Sequence, residues 1–367
     1  MSTPPFSRDD ALAWVSAHAA SLNDNAADAD AVIPRLGAAG FFGIGVPVAQ
    51  GGSGGTTAEA IEAIAAVAER SLTAAFVFWG QRTFIEYLLH SPNAALCERH
   101  LPALLAGELA GATGLSNAMK FLSGIENLSI SATPVGDGWR LVGNLPWVTN
   151  LRRAGFGVAA AVQPADGQAP AIVALFRDTP GLTRSDDLAL LGLRGSNTAA
   201  IDIRDVESGP EQLIHADARS FIPAVRPAFL GLQCGMAIGL ARASLAAARA
   251  SGSAARSGLQ PRIEGIDAEL AASVAELMAG VQDGRFAPQA APLFRIRIKL
   301  AGLVREAMDL ELDATGGRAY LVATTGDFAR RWLEAAFVPV VTLAVIGDDT
   351  RNAMSGSGLT GRYVVDE

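Results

Sequence analysis

The chain has 367 residues, half of them hydrophobic, and a formal net charge of −8. This length predicts two or three domains that share interfaces, while the scattered basic residues and only three tyrosines make nucleic acid a poor candidate partner. We find no uninterrupted apolar run as long as a membrane-spanning helix and no signal-peptide core in MSTPPFSRDD, so we expect a cytoplasmic protein without a membrane partner.

Residues 1–110 predict an all-helical domain, because alanine-rich segments with helical periodicity follow one another. The glycine-rich stretch 43–55 is expected to be a loop whose glycines permit tight turns. The pair Ser91-Pro92 should stop one helix, and Pro102 should bend or restart the next. Helices are expected over 8–20, 28–40, 57–69, 72–90 and 93–107.

Residues 111–210 predict an antiparallel β-barrel domain. Short alternating or β-branched runs succeed one another: LSISATPV, GWRLVGN, FGVAAAV, PAIVALFRD and TAAIDIRDV. Turn signals such as Asp166-Gly167 lie between them. No helical pattern separates the runs, so a parallel sheet with crossover helices is not expected.

Residues 211–346 return to long helical patterns and predict a four-helix bundle. The segment 347–367 is polar, rich in Gly and Ser and without periodicity, and is expected to be a tail. The predicted fold class is therefore α+β and multidomain, with a helical domain, a β-barrel and a helical bundle in that order. The bundle helices are expected near 218–251, 262–281, 290–313 and 326–337.

The two cysteines, Cys97 and Cys234, lie far apart in sequence within helical segments. Neither belongs to a CxxC pair, and neither has a histidine cluster beside it. Neither a disulfide framework nor a metal site is therefore expected.

The stretch GNLPWVTN, residues 143–150, ends a predicted strand and carries Trp147 and Thr149. Residues two apart on a strand share a face, so an indole and a hydroxyl could lie side by side. Such a pair offers an apolar wall beside a hydrogen-bonding group, which suits a planar heteroaromatic cofactor such as flavin. A tryptophan that packs against a neighbouring domain would have the same sequence pattern.

Four segments in a fixed order carry a family resemblance: GFFGIGVPVAQGGSGG, LPALLAGELAGATGLSN, GDGWRLVGNLPWVTN and LGLRGSNTAAIDIRDV. Together they resemble the acyl-CoA dehydrogenase family, over roughly residues 30–345. That resemblance implies a flavoprotein with a helical domain, a β-barrel and a four-helix bundle. It also implies an acyl-CoA or related small-molecule substrate.

The resemblance assigns flavin contacts by position. Trp147 matches the tryptophan beside the flavin ring, and Thr149 matches the threonine beside flavin N5 in the family's W-[IV]-T-N motif, with Val148 between them. The stretch ATGLSN, with Leu115 and Ser116, matches a segment that touches the flavin through backbone amides and a hydroxyl.

Other cofactor contacts of the family are only partly preserved. Ser123 is the best match for a serine that contacts the pyrophosphate. The stretch DATGG keeps Gly316 and Gly317 but has Asp313 in place of a glutamine, and Arg256 lies only near the expected arginine. In relatives these later motifs hold the adenosine of FAD across a subunit boundary. The resemblance therefore implies FAD, with FMN as an alternative, and a homodimer or homotetramer.

Two further features admit a structural explanation. Arg194, in LRGSNTA, could face an anionic group or pair with Asp186 or Asp187, and we favour the pairing. The glycines of GGSGG are interpreted as turn residues rather than ligand contacts.

The carboxylate base of the family is missing at both positions where relatives carry it. Thr342 occupies one position and Phe229 the other, and neither side chain can remove a proton α to a thioester. Glu334, Asp327 and Asp348 are close in sequence, but we interpret them as solvated charges. The catalytic residue is therefore unknown.

Three hypotheses follow. The first is an acyl-CoA dehydrogenase, performing α,β-dehydrogenation of an acyl thioester, whose base has moved. The second is a flavin-dependent monooxygenase on the same fold, which needs no such base but often uses a histidine that the later bundle lacks. The third is a non-catalytic flavin-binding or structural subunit. The electron acceptor or reductase partner is not defined by the sequence. The four histidines are His18, His90, His100 and His215.

Overall fold

The computed structural model describes residues 6–122, 126–251, 258–321 and 327–343. Five helices form the N-terminal part, each at a predicted position. Pro102 lies inside the fifth of these helices, which continues through it. The five helices are α1 (Arg8–Asp24), α2 (Ala29–Ala38), α3 (Thr57–Ala68), α4 (Leu72–Leu89) and α5 (Ala94–Ala106).

Local side-chain bonds explain where two of these helices begin. Ser7 caps α1 by accepting from the backbone of Asp10, whose carboxylate accepts in return from the backbone of Ser7. Thr56 and Glu59 form the same reciprocal pair at the start of α3. Each pair satisfies two amide groups that a helix start leaves without partners.

The loop between α2 and α3 has the tight turns that its glycines predict. Gly51, Gly54 and Gly55 have positive φ, which side chains other than glycine rarely adopt. A Cβ atom on Gly52 would lie 2.2 Å from the carbonyl oxygen of Val46. The glycines are therefore accounted for by backbone geometry.

The middle region forms an eight-stranded sheet around a second hydrophobic core. Seven strands pair in the order β6-β7-β3-β2-β4-β5-β8, and β1 pairs with β4 off this path. A short helix, α6 (Ser116–Leu122), follows β1. The strands are β1 (Ala110–Thr113), β2 (Ile130–Val135), β3 (Gly138–Val148), β4 (Phe156–Pro164), β5 (Ala171–Phe176), β6 (Leu182–Asp187), β7 (Ala199–Ser208) and β8 (Leu213–His215).

The expectation of a purely antiparallel domain without helices was wrong. The pairs β1–β4 and β2–β4 are parallel, so the sheet is mixed. Helix α6 lies between β1 and β2, where the sequence indicated no helix. A parallel pair needs a longer connection than a hairpin, and here the whole segment between β1 and β4 forms that connection.

Four helices follow the sheet and form the C-terminal part: α7 (Ala218–Ala250), α8 (Gln260–Gln282), α9 (Ala291–Thr315) and α10 (Phe328–Leu343). Helix α7 packs against α3, α4 and α9, so the N- and C-terminal helices share one core. The predicted order of helical domain, sheet domain and helical bundle is confirmed. Residues 344–367, including the predicted tail, lie outside the described part.

The composition of α7 bears on the expectation that the chain lacks a membrane-spanning helix. By length and composition this helix could cross a membrane, and it is the single such helix among the described residues. However, 72% of its most apolar window is buried inside the fold. Its apolar composition is accounted for by packing against other helices on several sides.

Candidate functional site

A bulge near the end of β3 places Trp147 and Thr149. The pairing with β7 shifts between Leu145 and Val148, so the bulged strand gains one residue there. Val148 lies in the sheet core, with Trp147 before it as the last exposed residue of the strand and Thr149 just after the strand end. Trp147 is 52% exposed, whereas Thr149 is 6% exposed. An accessible indole thus stands two residues from a nearly enclosed hydroxyl.

Thr149 belongs to a chain of three hydroxyl groups. Its Oγ1 lies 2.9 Å from Oγ1 of Thr198, which lies 2.7 Å from Oγ of Ser196. Ser196 and Thr198 are buried. The chain connects the end of β3 to the turn that precedes β7.

A buried amide cluster holds the end of β3 against the helical domain. Asn150, at positive φ, donates to the side-chain oxygen of Gln81 (3.1 Å) and to the carbonyl of Gly111 (2.8 Å). Gln81 also accepts from the backbone of Gly111 (2.6 Å) and donates to the carbonyls of Leu104 and Leu109 (2.9 Å each). The side chain of Gln81 in α4 therefore connects the end of α5, strand β1 with the residue before it, and the end of β3.

Replacing Gln81 by Leu should destabilise the fold by about 2–4 kcal/mol, because buried backbone groups lose their hydrogen-bond partners. The free energy of unfolding, measured by urea denaturation, tests this expectation. Gln50→Leu, at an exposed loop position, is the matched control and should change stability by less than about 0.5 kcal/mol. Equal effects of the two substitutions would contradict the structural role of Gln81.

The predicted contacts that follow β1 lie where the backbone is closely packed. Gly114 packs against Leu145, and a Cβ atom there would lie 2.7 Å from that side chain. Leu115 is buried in the helical core, so only its backbone could face a ligand, and the same holds for Val148. Ser116 is exposed at the first residue of α6. Ser123 lies outside the described residues, as does Arg256.

Both positions at which relatives carry a base lie in helices. Phe229, in α7, is buried, and its ring contacts Trp79 edge-to-face at 5.2 Å between centroids. The indole of Trp79 also donates to the carbonyl of Phe229 (3.2 Å) and stacks on Phe76. Thr342 lies in the last turn of α10. An aromatic cluster therefore occupies the α7 position.

Glu334 is not the solvated charge that the sequence suggested. It is fully buried, and its two oxygens accept from Nη1 of Arg330 at 2.9 and 2.8 Å. One oxygen also accepts from the backbone of Leu72 (3.0 Å). Burial raises the pKa of Glu334, although Arg330 acts in the opposite direction. Asp327 is largely exposed, as predicted, and Asp348 lies outside the described residues.

The buried carboxylates of the described residues are each paired with an arginine. Glu86 lies 2.7 Å from Arg82, and Glu311 contacts Arg331, as Glu334 does Arg330. All three carboxylates are thus engaged in ion pairs inside the fold, between helices or within one helix.

The predicted pairing of Arg194 was wrong, although its role is structural. Arg194 donates to the backbone carbonyls of Leu190 (2.7 Å) and Asp24 (3.2 Å). Asp186 and Asp187 are instead paired with Arg153 and Arg184, respectively. Arginine–backbone bonds of this kind cannot be anticipated from charge pairing along the sequence.

The remaining predicted contacts lie elsewhere in the molecule. Gly316 and Gly317 are exposed after the end of α9, away from the β3 strand end in sequence and domain. Asp313, which replaces a glutamine of the family, lies 3.2 Å from Arg262. Trp147 and Thr149 lie at the end of β3, whereas the glycine pair follows α9.

Sequence reasoning missed Ser196 and Thr198, although it quoted the LRGSNTA run that contains them. The available signal was the polar alternation S-x-T immediately before a strand that would pair with GNLPWVTN. It also missed Gln81 and Asn150, because buried amide partners lie far apart in sequence.

The residues at the end of β3 fit a flavin ring. The accessible indole of Trp147 can cover one side of a planar heterocycle, and the hydroxyl of Thr149 can bond a ring nitrogen. These two residues would contact the flavin ring and not the rest of the cofactor. A Cβ atom added at Gly316 or Gly317 would meet no other atom within 4 Å.

Comparisons with known proteins show similarity to acyl-CoA dehydrogenases. A family model described as "Acyl-CoA dehydrogenase, N-terminal domain" matches residues 8–108. The mitochondrial isovaleryl-CoA dehydrogenase of Pongo abelii is 30% identical over 178 residues, or 47% of this chain and 41% of that protein. The probable acyl-CoA dehydrogenase YngJ of Bacillus subtilis is 28% identical over 252 residues, or 65% and 64%. The chain thus matches less than two thirds of either relative's length.

Solved structures match nearly the whole chain. Butyryl-CoA dehydrogenase from Megasphaera elsdenii has a TM-score of 0.77 at 17% identity, covering 96% of this chain and 98% of that one. Nitroalkane oxidase crystallised with 1-nitrohexane has a TM-score of 0.79 at 16% identity, covering 97% and 94%. At these identities the likeness shows the fold alone, and the two names describe different reactions.

Proposed function

The chain belongs to the acyl-CoA dehydrogenase family, and from that premise we propose that it is a flavin-dependent oxidoreductase of acyl-CoA dehydrogenase type. The proposed substrate is an acyl thioester, oxidised between its α and β carbons. The proposed cofactor is FAD, with FMN as the alternative. The relatives support this choice of substrate, since one is named an isovaleryl-CoA dehydrogenase and the other a probable acyl-CoA dehydrogenase.

The observation that carries the proposal is the strand end at which an exposed Trp147 stands two residues before the nearly buried hydroxyl of Thr149. A bound flavin would supply the hydride acceptor, which no protein side chain can replace. Trp147 would cover the ring and exclude water from it, while Thr149 would fix its orientation by a hydrogen bond. The amide cluster of Gln81 and Asn150 would hold these two residues against the helical domain.

A second candidate is a flavin-dependent monooxygenase. The specific observation in its favour is that Phe229 fills one base position with an aromatic cluster, while Thr342 occupies the other. The buried carboxylates of the described residues are bound to arginines. A reaction that needs no α-proton base would be compatible with this arrangement.

Anaerobic titration tests the two candidates. The protein is reconstituted with FAD or FMN, and acyl-CoAs of increasing chain length are added while the visible flavin absorbance is recorded. Bleaching by a thioester supports dehydrogenation. Absence of bleaching, with an oxygenated product formed when a flavin reductase and O₂ are supplied, supports the monooxygenase. If flavin binds but neither reaction occurs, the chain is a non-catalytic flavin-binding subunit.

Self-association into a homodimer or homotetramer is part of this proposal. Around the start of α10, Tyr320 and Trp332 expose apolar surface beside a cavity of about 410 Å³. Exposed aromatic residues of this kind are frequent at subunit contacts. A monomer in sedimentation velocity at micromolar concentration would contradict this part.

A further inference from the structure

Counting protons defines which of the three hydroxyl groups of Ser196, Thr198 and Thr149 donates to which. Ser196 and Thr198 are 0% and 1% exposed, and Thr149, at 6%, is the most accessible of the three. Each hydroxyl carries one proton, and the two oxygen–oxygen contacts use two of the three protons. One proton must therefore point out of the chain, from one of its members.

Burial decides which member donates outward. In the part of the chain that the structure describes, these hydroxyls have no hydrogen-bond acceptor other than one another. An outward proton on Ser196 or Thr198 would be a buried donor without an acceptor, which is unfavourable. The favoured order is that Ser196 donates to Thr198, Thr198 donates to Thr149, and Thr149 donates outward.

Backbone hydrogen bonds fix the segments that carry the three hydroxyl groups, so these groups cannot readily separate. The backbone amide of Asn150 donates to the carbonyl of Ser196, and the backbone amide of Leu151 donates to the carbonyl of Asn197, both at 3.0 Å. Val148 and Ala199 are paired across β3 and β7. The distance between Thr149 and Thr198 is therefore set by the ends of two strands.

We propose that Thr198 is a positioning residue, which makes Thr149 a hydrogen-bond donor toward an acceptor atom of the oxidised flavin ring. This inference rests on the proposed function, since it needs flavin beside Thr149. Ring nitrogen N5 is an acceptor in oxidised flavin and carries a hydrogen in reduced flavin. The bond is therefore favourable with the oxidised form alone.

A hydrogen bond to reduced flavin would require the donor direction along the three hydroxyl groups to reverse. Thr149 would then donate to Thr198 and accept from the ring, and the surplus proton would move to a buried hydroxyl. The site should thus bind oxidised flavin more tightly than reduced flavin. Removing the hydroxyl of Thr198 frees Thr149 to rotate and act as donor or acceptor, which should diminish that preference.

The test compares dissociation constants for oxidised and dithionite-reduced FAD in the full chain. Thr198→Val should lower the ratio of reduced to oxidised constants by about fivefold to tenfold, the effect of one hydrogen bond. Thr198→Ser should restore the wild-type ratio. Thr198→Ala repeats the measurement if valine is not accommodated. Thr83→Val, which removes a buried hydroxyl in α4, is the matched control and should leave the ratio unchanged.

A double-mutant cycle distinguishes positioning from packing. In a Thr149→Val background, Thr198→Val should cause no further change in the ratio. The inference is overturned if Thr198→Val weakens both flavin forms equally, if its effect persists without the Thr149 hydroxyl, or if Thr198→Ser fails to restore the ratio. Flavin binding with an unchanged ratio refutes this inference alone, whereas failure of the wild type to bind either flavin form refutes the proposed function as well.

Discussion

Replacing Glu334 by Ala is expected to destabilise the folded chain by about 3–5 kcal/mol, because it leaves the buried cation of Arg330 without its main partner. The substitution also removes the acceptor for the backbone amide of Leu72, at the start of α4. Glu334 therefore connects α10 to the N-terminal helices. Urea denaturation followed by circular dichroism measures the change.

Asp327→Asn is the matched control for this substitution. Asp327 contacts the same arginine at 2.9 Å, but its side chain is 60% exposed. An exposed ion pair contributes little, so the control should lose less than about 1 kcal/mol. A loss at Glu334→Ala no larger than at Asp327→Asn would show that the buried pair does not hold these helices together.

Replacing Trp147 by Ala should weaken flavin binding by about tenfold to a hundredfold, because the ring loses its stacking surface and its shield from water. The free energy of unfolding should change by less than about 1 kcal/mol, since the indole is half exposed. Flavin fluorescence during titration measures the first quantity, and urea denaturation measures the second.

Val142→Ala provides the comparison for Trp147→Ala. Val142, five residues earlier in β3, is 48% exposed and thus similarly accessible. Its substitution should leave flavin affinity within about twofold of the wild type. Equal loss at both positions would indicate that the effect of Trp147→Ala is not local.

The helices could be predicted from the sequence because their signals are local. Ser7 and Thr56 each stand three residues before an acidic partner, and this spacing alone defines a helix start. The mixed pairing of the sheet could not be predicted in the same way. Whether β1 pairs with β4 depends on the path of residues 114–155 through space, which no short pattern encodes.

The residues of the candidate site likewise differ in whether a local sequence pattern could predict them. Trp147 and Thr149 could be found because they are neighbours in a recognisable motif. The burial of Glu334 could not, because its partner amide at Leu72 is 262 residues away. Thr198 escaped notice for a related reason: its hydroxyl acts through Thr149, and that contact exists only once β7 lies beside β3.

The candidate base position and the end of β3 have different consequences for function. At the base position in α7, Phe229 packs on Trp79 where relatives carry a carboxylate. At the end of β3, Trp147 keeps an accessible indole and Thr149 keeps a hydroxyl group. Fold and cofactor site can persist while the reaction changes, since a fold does not determine its chemistry. The proposal of a flavin site therefore depends on fewer residues than the proposal of a reaction.

The central claim is that the end of β3 forms a flavin site, and direct titration of the purified chain with FAD and FMN tests it most directly. We expect saturable binding of one flavin per chain with quenched flavin fluorescence, abolished in the combined Trp147→Ala and Thr149→Val variant. The claim is contradicted if the folded wild-type chain binds neither flavin, or if the combined variant binds as tightly as the wild type.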